Sequence, residues 1–498
     1  MKAPAIRGKS GERFDRSASR SARARERGVT MLLVAVSMVA IIAMAALSID
    51  MVTLYLAREE AQRTADGAAL AAARVISISG ITGTANPSTD TASWALICGA
   101  AGTATQAAQA VAIQNSVSNI AATAIVTYSA PTGGSSSDCS TLPQPFAINP
   151  MVTVQVTRAS MPTFFSRIWG NSGKSVSATA TAEAFNPSDS ETVGSSGQIT
   201  PVLPSCVKPF IVPNQDPLNP PSCTGTGCNS FVNASTGQIT HAGISLNGTG
   251  TNGTIGETFW LMADCAHGTT GHCRLHGGAT PQQPAANYYS PPTTYLEPTP
   301  NLLFAPGQVG TPTVAVPSCT TGDAYEEAIE GCDESTNYQC GQPPPNNEVA
   351  DLTQRNPAAS DAITTAVQCL TGQTDATNLT SASGQDYLNT FKAPSAYPYQ
   401  ILAGSSNPLS GLSGKSITSS NSIISLPIYD NTVNLTTNTA TNVTFIGFLQ
   451  VFINAVDTNG NINVTVLNVT GCSNGAAGNV GSPVLGTSPV PIRLITPP

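Results

Sequence analysis

Between Gly28 and Ile49 the chain runs for 22 residues without one ionisable side chain, GVTMLLVAVSMVAIIAMAALSI. At about 1.5 Å per residue a helix of that length reaches about 33 Å, enough to cross the ~30 Å hydrocarbon core of a bilayer. The run therefore reads as a transmembrane helix over 28–49, and it exceeds the roughly 7 to 15 apolar residues of a cleavable signal peptide. Ahead of it stand nine Lys and Arg (Lys2, Arg7, Lys9, Arg13, Arg16, Arg20, Arg23, Arg25, Arg27) against three acids (Glu12, Asp15, Glu26), a local net charge of +6. Basic flanks stay in the cytoplasm. This predicts a single pass in which residues 1–27 form a disordered cytoplasmic tail and the bulk of the chain lies beyond the membrane.

The span does not stop the helical pattern. Steps of three and four residues from Leu47 lead to Met51, Leu54, Arg58, Ala61, Ala65, Ala68, Ala72 and Val75, an apolar stripe broken only by Arg58. A continuation over 50–80 follows, giving one rod of roughly 70 Å at helical rise. Leu47, Met51, Leu54, Ala61, Ala65, Ala68 and Ala72 are its candidate packing residues, because small side chains let a neighbouring element approach closely. The stripe leaves open whether that neighbour is the protein's own head or another subunit. Gly67 interrupts the alanines at a cost of about 1 kcal/mol.

These residues carry a resemblance. The short basic tail, the Arg27-Gly28 start, the span ending in Asp50, the run Tyr55 to Arg58, and then Gln62, Ala65, Asp66, Ala68, Ala69 and Leu70 resemble the N-terminal signature of the Tad-type (tight adherence, Flp) pilus-assembly proteins of the TadE/TadG-like group. Asp50, Tyr55, Gln62 and Asp66 are the positions that match the motif. The stretch from Met151 to Ala184 is similar to the strand, short helix and strand that follow in the same group. The resemblance implies a bacterial inner-membrane protein whose helix contacts lipid and other pilus-assembly subunits. Two family features have no counterpart. Leu33 stands where prepilins cut by the dedicated peptidase carry Glu, and no Asp-x-Ser-x-Ser pattern of a von Willebrand A domain occurs.

Charged residues make up only 10% of the chain, against roughly 25% in typical soluble proteins. The net charge of −8, less the +6 of the tail, leaves −14 on the remainder, which argues against nucleic acid as a partner. The fold class read from the pattern is α+β. A small α+β module is expected over 81–185, with a turn-rich break at 82–91, a helix over 100–122, a short helix after Pro162, and strands at 124–128, 151–157 and 175–184. A Ser/Gly linker covers 186–200, and a β-rich, loop-rich module fills 201–498.

Ten of the twelve cysteines follow Ser205, and an extracytoplasmic location makes disulfides the default. Spacing suggests the local pairs Cys223 with Cys228, Cys265 with Cys273 and Cys332 with Cys340, while Cys98 and Cys139 are the expected pair of the first module. The segment from Cys265 to His276, CAHGTTGHCRLH, contains three of the four histidines. If its cysteines pair, His267, His272 and His276 remain as candidate metal ligands. Glu326, Glu327 and Glu330 sit at helical spacing and read as a solvated face rather than as acid/base groups. A helix within 351–369 is expected to point Ile363, Val367 and Leu370 inward.

The C-terminal region gives the clearest β signal. Strands at 422–428, 443–456 and 462–469 are rich in Val, Ile, Phe and Thr, and a tight turn from Asp457 to Asn461 joins the last two. In VTFIGFLQVFINAV both faces are apolar, with Val443, Phe445, Leu449, Val451 and Ile453 on one side and Ile446, Phe448 and Phe452 on the other, as in a strand covered twice. No cofactor motif and no catalytic template is present, and the resemblance implies a structural or assembly role in a Tad-type pilus. The alternative is an anchored binding or metal-dependent hydrolytic module that uses the helix only for export.

Overall fold

The computed structural model describes residues 17–83, 87–130, 133–143, 145–161, 165, 170, 173–186, 202–218, 230–235, 237–244, 253–263, 300–310, 324–333, 338, 349–351, 360–389, 400–430, 440–472, 484–486 and 488–495. Its helices are α1 (Ser17–Ile78), α2 (Pro87–Cys98), α3 (Thr103–Gln114), α4 (Pro145–Ile148), α5 (Ala324–Glu330) and α6 (Ser360–Thr371). The strands of the first module are β1 (Thr123–Ser129), β2 (Ser135–Ser136), β3 (Met151–Met161) and β4 (Lys174–Ala184). There follow β5 (Val202–Pro204), β6 (Phe210–Pro213), β7 (Thr258–Ala263), β8 (Asn301–Pro306), β9 (Val349–Asp351), β10 (Tyr387–Leu388), β11 (Ile401–Leu402) and β12 (Ser416–Ile417). The last are β13 (Ile423–Tyr429), β14 (Ala440–Asn442), β15 (Phe445–Val456), β16 (Ile462–Gly471), β17 (Val484–Gly486) and β18 (Ile492–Ile495). The fold is α+β, with a long apolar N-terminal helix followed by β-rich sheets.

Helix α1 is 62 residues long. It starts at Ser17, inside the basic segment that composition alone predicts to be disordered. It ends where Ser79 folds back, its hydroxyl donating to the Ile76 carbonyl at 2.8 Å, and where Gly80 turns left-handed with φ 71°. A 3-10 turn (Ile81–Gly83) and then α2 follow, so the break predicted over 82–91 is shorter than expected and a helix starts inside it at Pro87. Pro at a first helical position lacks only an N–H that would be unsatisfied there anyway.

The first module is a five-stranded sheet in the order β18-β4-β3-β1-β2, antiparallel throughout, with α1 and α3 packed on it. The alanine seam of α1 forms its core. Ala61, Ala65, Ala68 and Ala72 are fully buried. Opposite them β4 presents Ala178, Ala180 and Ala182, paired in register with Val156, Val154 and Val152 of β3. Alanine facing alanine brings the helix close to the sheet. On its other side α1 meets α3, whose Ala104, Ala108 and Ala112 are also buried. A methyl group at Gly67 would touch the Val111 Cγ1 at an ordinary 3.6 Å. Gly67→Ala is therefore expected to stabilise the protein by about 0.5–1 kcal/mol, the helix-propensity difference, read by chemical denaturation.

The strand that completes this sheet comes from the far end of the chain. β18 pairs with β4 (Leu494 with Ala182, Arg493 with Glu183), and Arg493 ion-pairs with Glu183 while lying 5.5 Å from the Phe185 ring. The boundaries 81–185 and 201–498 thus do not separate the modules. A buried polar joint ties them further. The Asn468 amide donates to Ser77 O (2.7 Å) and Thr82 Oγ1 (3.0 Å), the Asn186 amide donates to Thr82 Oγ1 (3.1 Å) and Val469 O (3.2 Å), and the Ser77 hydroxyl donates to Val490 O (2.6 Å).

The second module is a closed barrel in the order β13-β15-β16-β7-β8-β6, sealed by parallel pairing of β6 with β13. Closure removes sheet edges, and within the barrel β15 is apolar on both faces and almost wholly buried. A β-bulge at the start of β15, opposite Ile428 and Tyr429, shifts the alternation. Ile446 consequently joins Leu449, Val451 and Ile453 in one cluster, while Val443, Phe445 and Phe448 pack in another. Helix α6 directs Ile363, Val367 and Leu370 inward, and its end is fastened to β15 by Gln373, whose amide donates to Val456 O (3.0 Å) and accepts from Val456 N (2.8 Å).

Cys98 pairs with Cys139, and Cys206 pairs with Cys332. The second pair overturns Cys332 with Cys340. The 126-residue separation carries Cys332 back to the start of the module, a non-local contact that spacing could not reveal. In chain-entropy terms the two bridges are worth about 4 and about 5 kcal/mol. Cys369 and Cys472 are also disulfide-bonded. Cys223, Cys228, Cys265, Cys273 and Cys340 lie outside the described residues.

Candidate assembly surface along the first helix

The large apolar side chains of α1 from Val29 to Met44 are all 58–77% exposed, the state of a helix meant for lipid. By length and composition the helix can cross a membrane. One face enters the head from Ala46 onward, where Ala46, Asp50, Ala57, Ala61, Ala65, Ala68 and Ala72 are all buried and Leu54 packs against them. The buried stripe thus runs one residue ahead of the predicted one at its lower end, and Leu47 and Met51 are 50% and 65% exposed. Asp50 explains the offset. Its carboxylate accepts the Phe165 N–H at 3.1 Å, so the polar residue that ends the span is drawn into the head. Phe165 itself stands at a bend, not in the helix expected after Pro162. The rest of that short segment, apart from Gly170, lies outside the described residues.

The motif positions divide in the same way. The Gln62 amide donates to Asp66 Oδ1 at 2.8 Å and to Thr179 O of β4 at 3.3 Å, tying the helix to the sheet. Tyr55 points away and is 64% exposed, beside Met51, Val52 and Leu56. The exposed apolar face from Val29 to Leu56 covers 28 residues, about 42 Å at helical rise. That is longer than the ~30 Å hydrocarbon core, so an upright helix lifts its upper end clear of the lipid.

A cavity of about 510 Å³ lies between α1 and α3 and the 400–419 loops, lined by such residues as Ala71, Gln106, Ala110, Ile401, Leu409 and Ile417, with no carboxylate, histidine or cysteine. Among the described residues no group of three or more His, Cys, Asp and Glu is placed to hold a metal. His267, His272 and His276 lie outside the described residues. Glu330 departs from the solvated face expected for it. It is 3% exposed, and burial, with Glu326 and Glu327 nearby, raises its carboxyl above the usual range.

Two further buried ionisable groups escaped the sequence reading because neither lies in a motif. The Lys208 amine donates to Ala328 O (3.4 Å) and to Gly331 O at the end of α5, and burial lowers it to about 7. Glu257 is pushed up to about 10, first by burial and then by the neighbouring Asp216 carboxyl. A lysine depressed in the folded state binds more protons when unfolded, so its contribution to stability rises with pH from about 7 to about 10.5. Comparing denaturation at both ends of that window, Lys208→Met is expected to lose this rise, leaving a profile that falls more steeply than that of the wild type.

Residues 28–75 match the family described as Flp pilus-assembly TadE/G-like, and residues 91–182 match Tad-like Flp pilus-assembly. Over these two stretches the chain is similar to the TadE/TadG-like Tad pilus-assembly family. The two matches map onto α1 and onto most of α2 through β4, which is the long apolar helix and its sheet without β18. The Tad region thus holds Asp50, Tyr55, Gln62 and Asp66, while the barrel lies outside both matches. No curated protein and no solved structure matches the chain.

Proposed function

We propose that this pilus-assembly component is a membrane-anchored structural subunit, pilin-like or minor, with residues 1–27 in the cytoplasm and both modules on the outer side of the bacterial inner membrane. The observation that carries the reading is the division of α1 into two faces. One is consumed by the protein's own head through Asp50 and the alanines, and the other stays apolar and exposed at Met51, Val52, Tyr55 and Leu56. A helix that spans lipid and rises above it with an uncovered apolar face suits packing against the helices of other pilus subunits. The buried alanine seam does not serve that purpose in this reading. The alternative of an anchored binding or metal-dependent hydrolytic module rests on three histidines that lie outside the described residues.

Co-purification from membranes tests the proposal. The intact chain is expected to bring down other Tad pilus components, and Met51→Glu with Tyr55→Glu is expected to lose them while keeping the melting temperature of the head. Undiminished association in the double variant, or recovery of the intact chain free of membrane, would count against the reading.

A further inference from the structure

Asp216 and Glu257 meet at one end of the barrel, just after β6 and just before β7. Glu257 is 0% exposed, and no N–H or hydroxyl donates to either of its carboxyl oxygens, whose side-chain partner is the Asp216 carboxyl. Its backbone is fixed to β16, with Val466 N–H donating to Glu257 O and Gly256 N–H donating to Val466 O, both at 2.8 Å. Against it lies the Asp216 carboxyl, 2% exposed, which accepts the Leu218 N–H at 3.0 Å and the Thr254 hydroxyl at 3.3 Å. Thr254 is also fully buried, and its carbonyl accepts the Glu257 N–H at 3.3 Å.

Two carboxyl groups in contact inside a protein, with no ion pair to a Lys or Arg among the described residues, demand a positive counterpart. A proton shared with Asp216 satisfies only one Glu257 oxygen. A cation held by both oxygens satisfies the two together. The surrounding donors are carboxylate, hydroxyl and carbonyl oxygens, a hard set that suits calcium, whose coordination is flexible in number and angle, better than softer metals. We propose that Asp216 and Glu257, with Thr254, hold a divalent cation of the calcium class that fastens the segment after β6 to the segment before β7. The pair lies outside both Tad matches, so the site belongs to the barrel and is independent of the membrane helix.

The test uses the full-length chain in detergent, stripped with EDTA and then supplied with calcium chloride at neutral pH. Saturable, stoichiometric calcium binding by calorimetry is expected, with a rise in Tm of about 5 °C or more at a hundredfold excess over Kd. Glu257→Gln should lose both effects, while its Tm in EDTA stands at or above that of the wild type, because the amide removes a buried charge. Asp216→Asn provides a second variant with the same expected loss of calcium response. If the wild type neither binds calcium nor gains stability from it, the proposal fails and the pair is a shared-proton contact. A calcium response that persists in both variants would equally overturn it. The wild-type result decides the matter even if neither variant folds.

Discussion

Replacing Ala65 and Ala68 together by leucine is expected to unfold the first module rather than to weaken its association with other proteins. Both alanines are fully buried on α1, within the core formed by the α3 alanines and the alanine row of β4. Small residues on both surfaces leave no space into which a longer side chain can turn. Overpacking of this kind costs about 1–3 kcal/mol per site, and neighbouring sites couple. Together they remove a large part of the roughly 5–15 kcal/mol by which a domain is stable. Loss of near-ultraviolet circular dichroism and rapid proteolysis of the head are the expected readouts, with Tyr55→Leu as a control that leaves both unchanged. A double variant as stable as the wild type but unable to associate would show that the seam serves a different partner.

Removing residues 488–498 should be comparably severe although the segment is short. It carries β18, so β4 becomes an open edge over Ala182, Glu183 and Ala184. It also strands buried polar groups. Ser77 loses Val490 O, Gln450 loses the Ser488 hydroxyl at 2.7 Å, and the Phe185 N–H loses Pro491 O at 2.9 Å. Each abandoned buried group costs about 1–3 kcal/mol, and an exposed strand edge invites pairing with another chain. The shortened protein is expected to melt well below the full chain and to aggregate. Arg493→Ala, which removes one half-exposed ion-pair partner and keeps the strand, should produce a far smaller shift in the same assay.

Local pattern carried much of this architecture in the sequence. The membrane run, the alanine continuation, the hairpin around Asp457 and the inward stripe of α6 are all periodic features over short stretches, and each appears close to its expected place. Pairings between distant segments were not legible. Nothing in the spacing of Cys332 or in the four residues of β18 announces a partner more than a hundred residues away. The face that enters the head runs through Ala46 and Asp50 rather than Leu47 and Met51, because a carboxylate stands at the position that is buried there. Apolarity counts for burial in such a reading, whereas Asp50 is buried by a hydrogen bond to Phe165. The pair of Asp216 and Glu257 was invisible for a similar reason, since the two residues are brought together only by closure of the barrel.

Photo-crosslinking in intact membranes tests most directly whether α1 is divided between head and partners. With a photoreactive residue at position 55, crosslinks to other pilus-assembly subunits are expected. With the same residue at position 68, crosslinks should fall within the chain, on α3 or β4. Intermolecular products at 68 together with none at 55 would contradict the division.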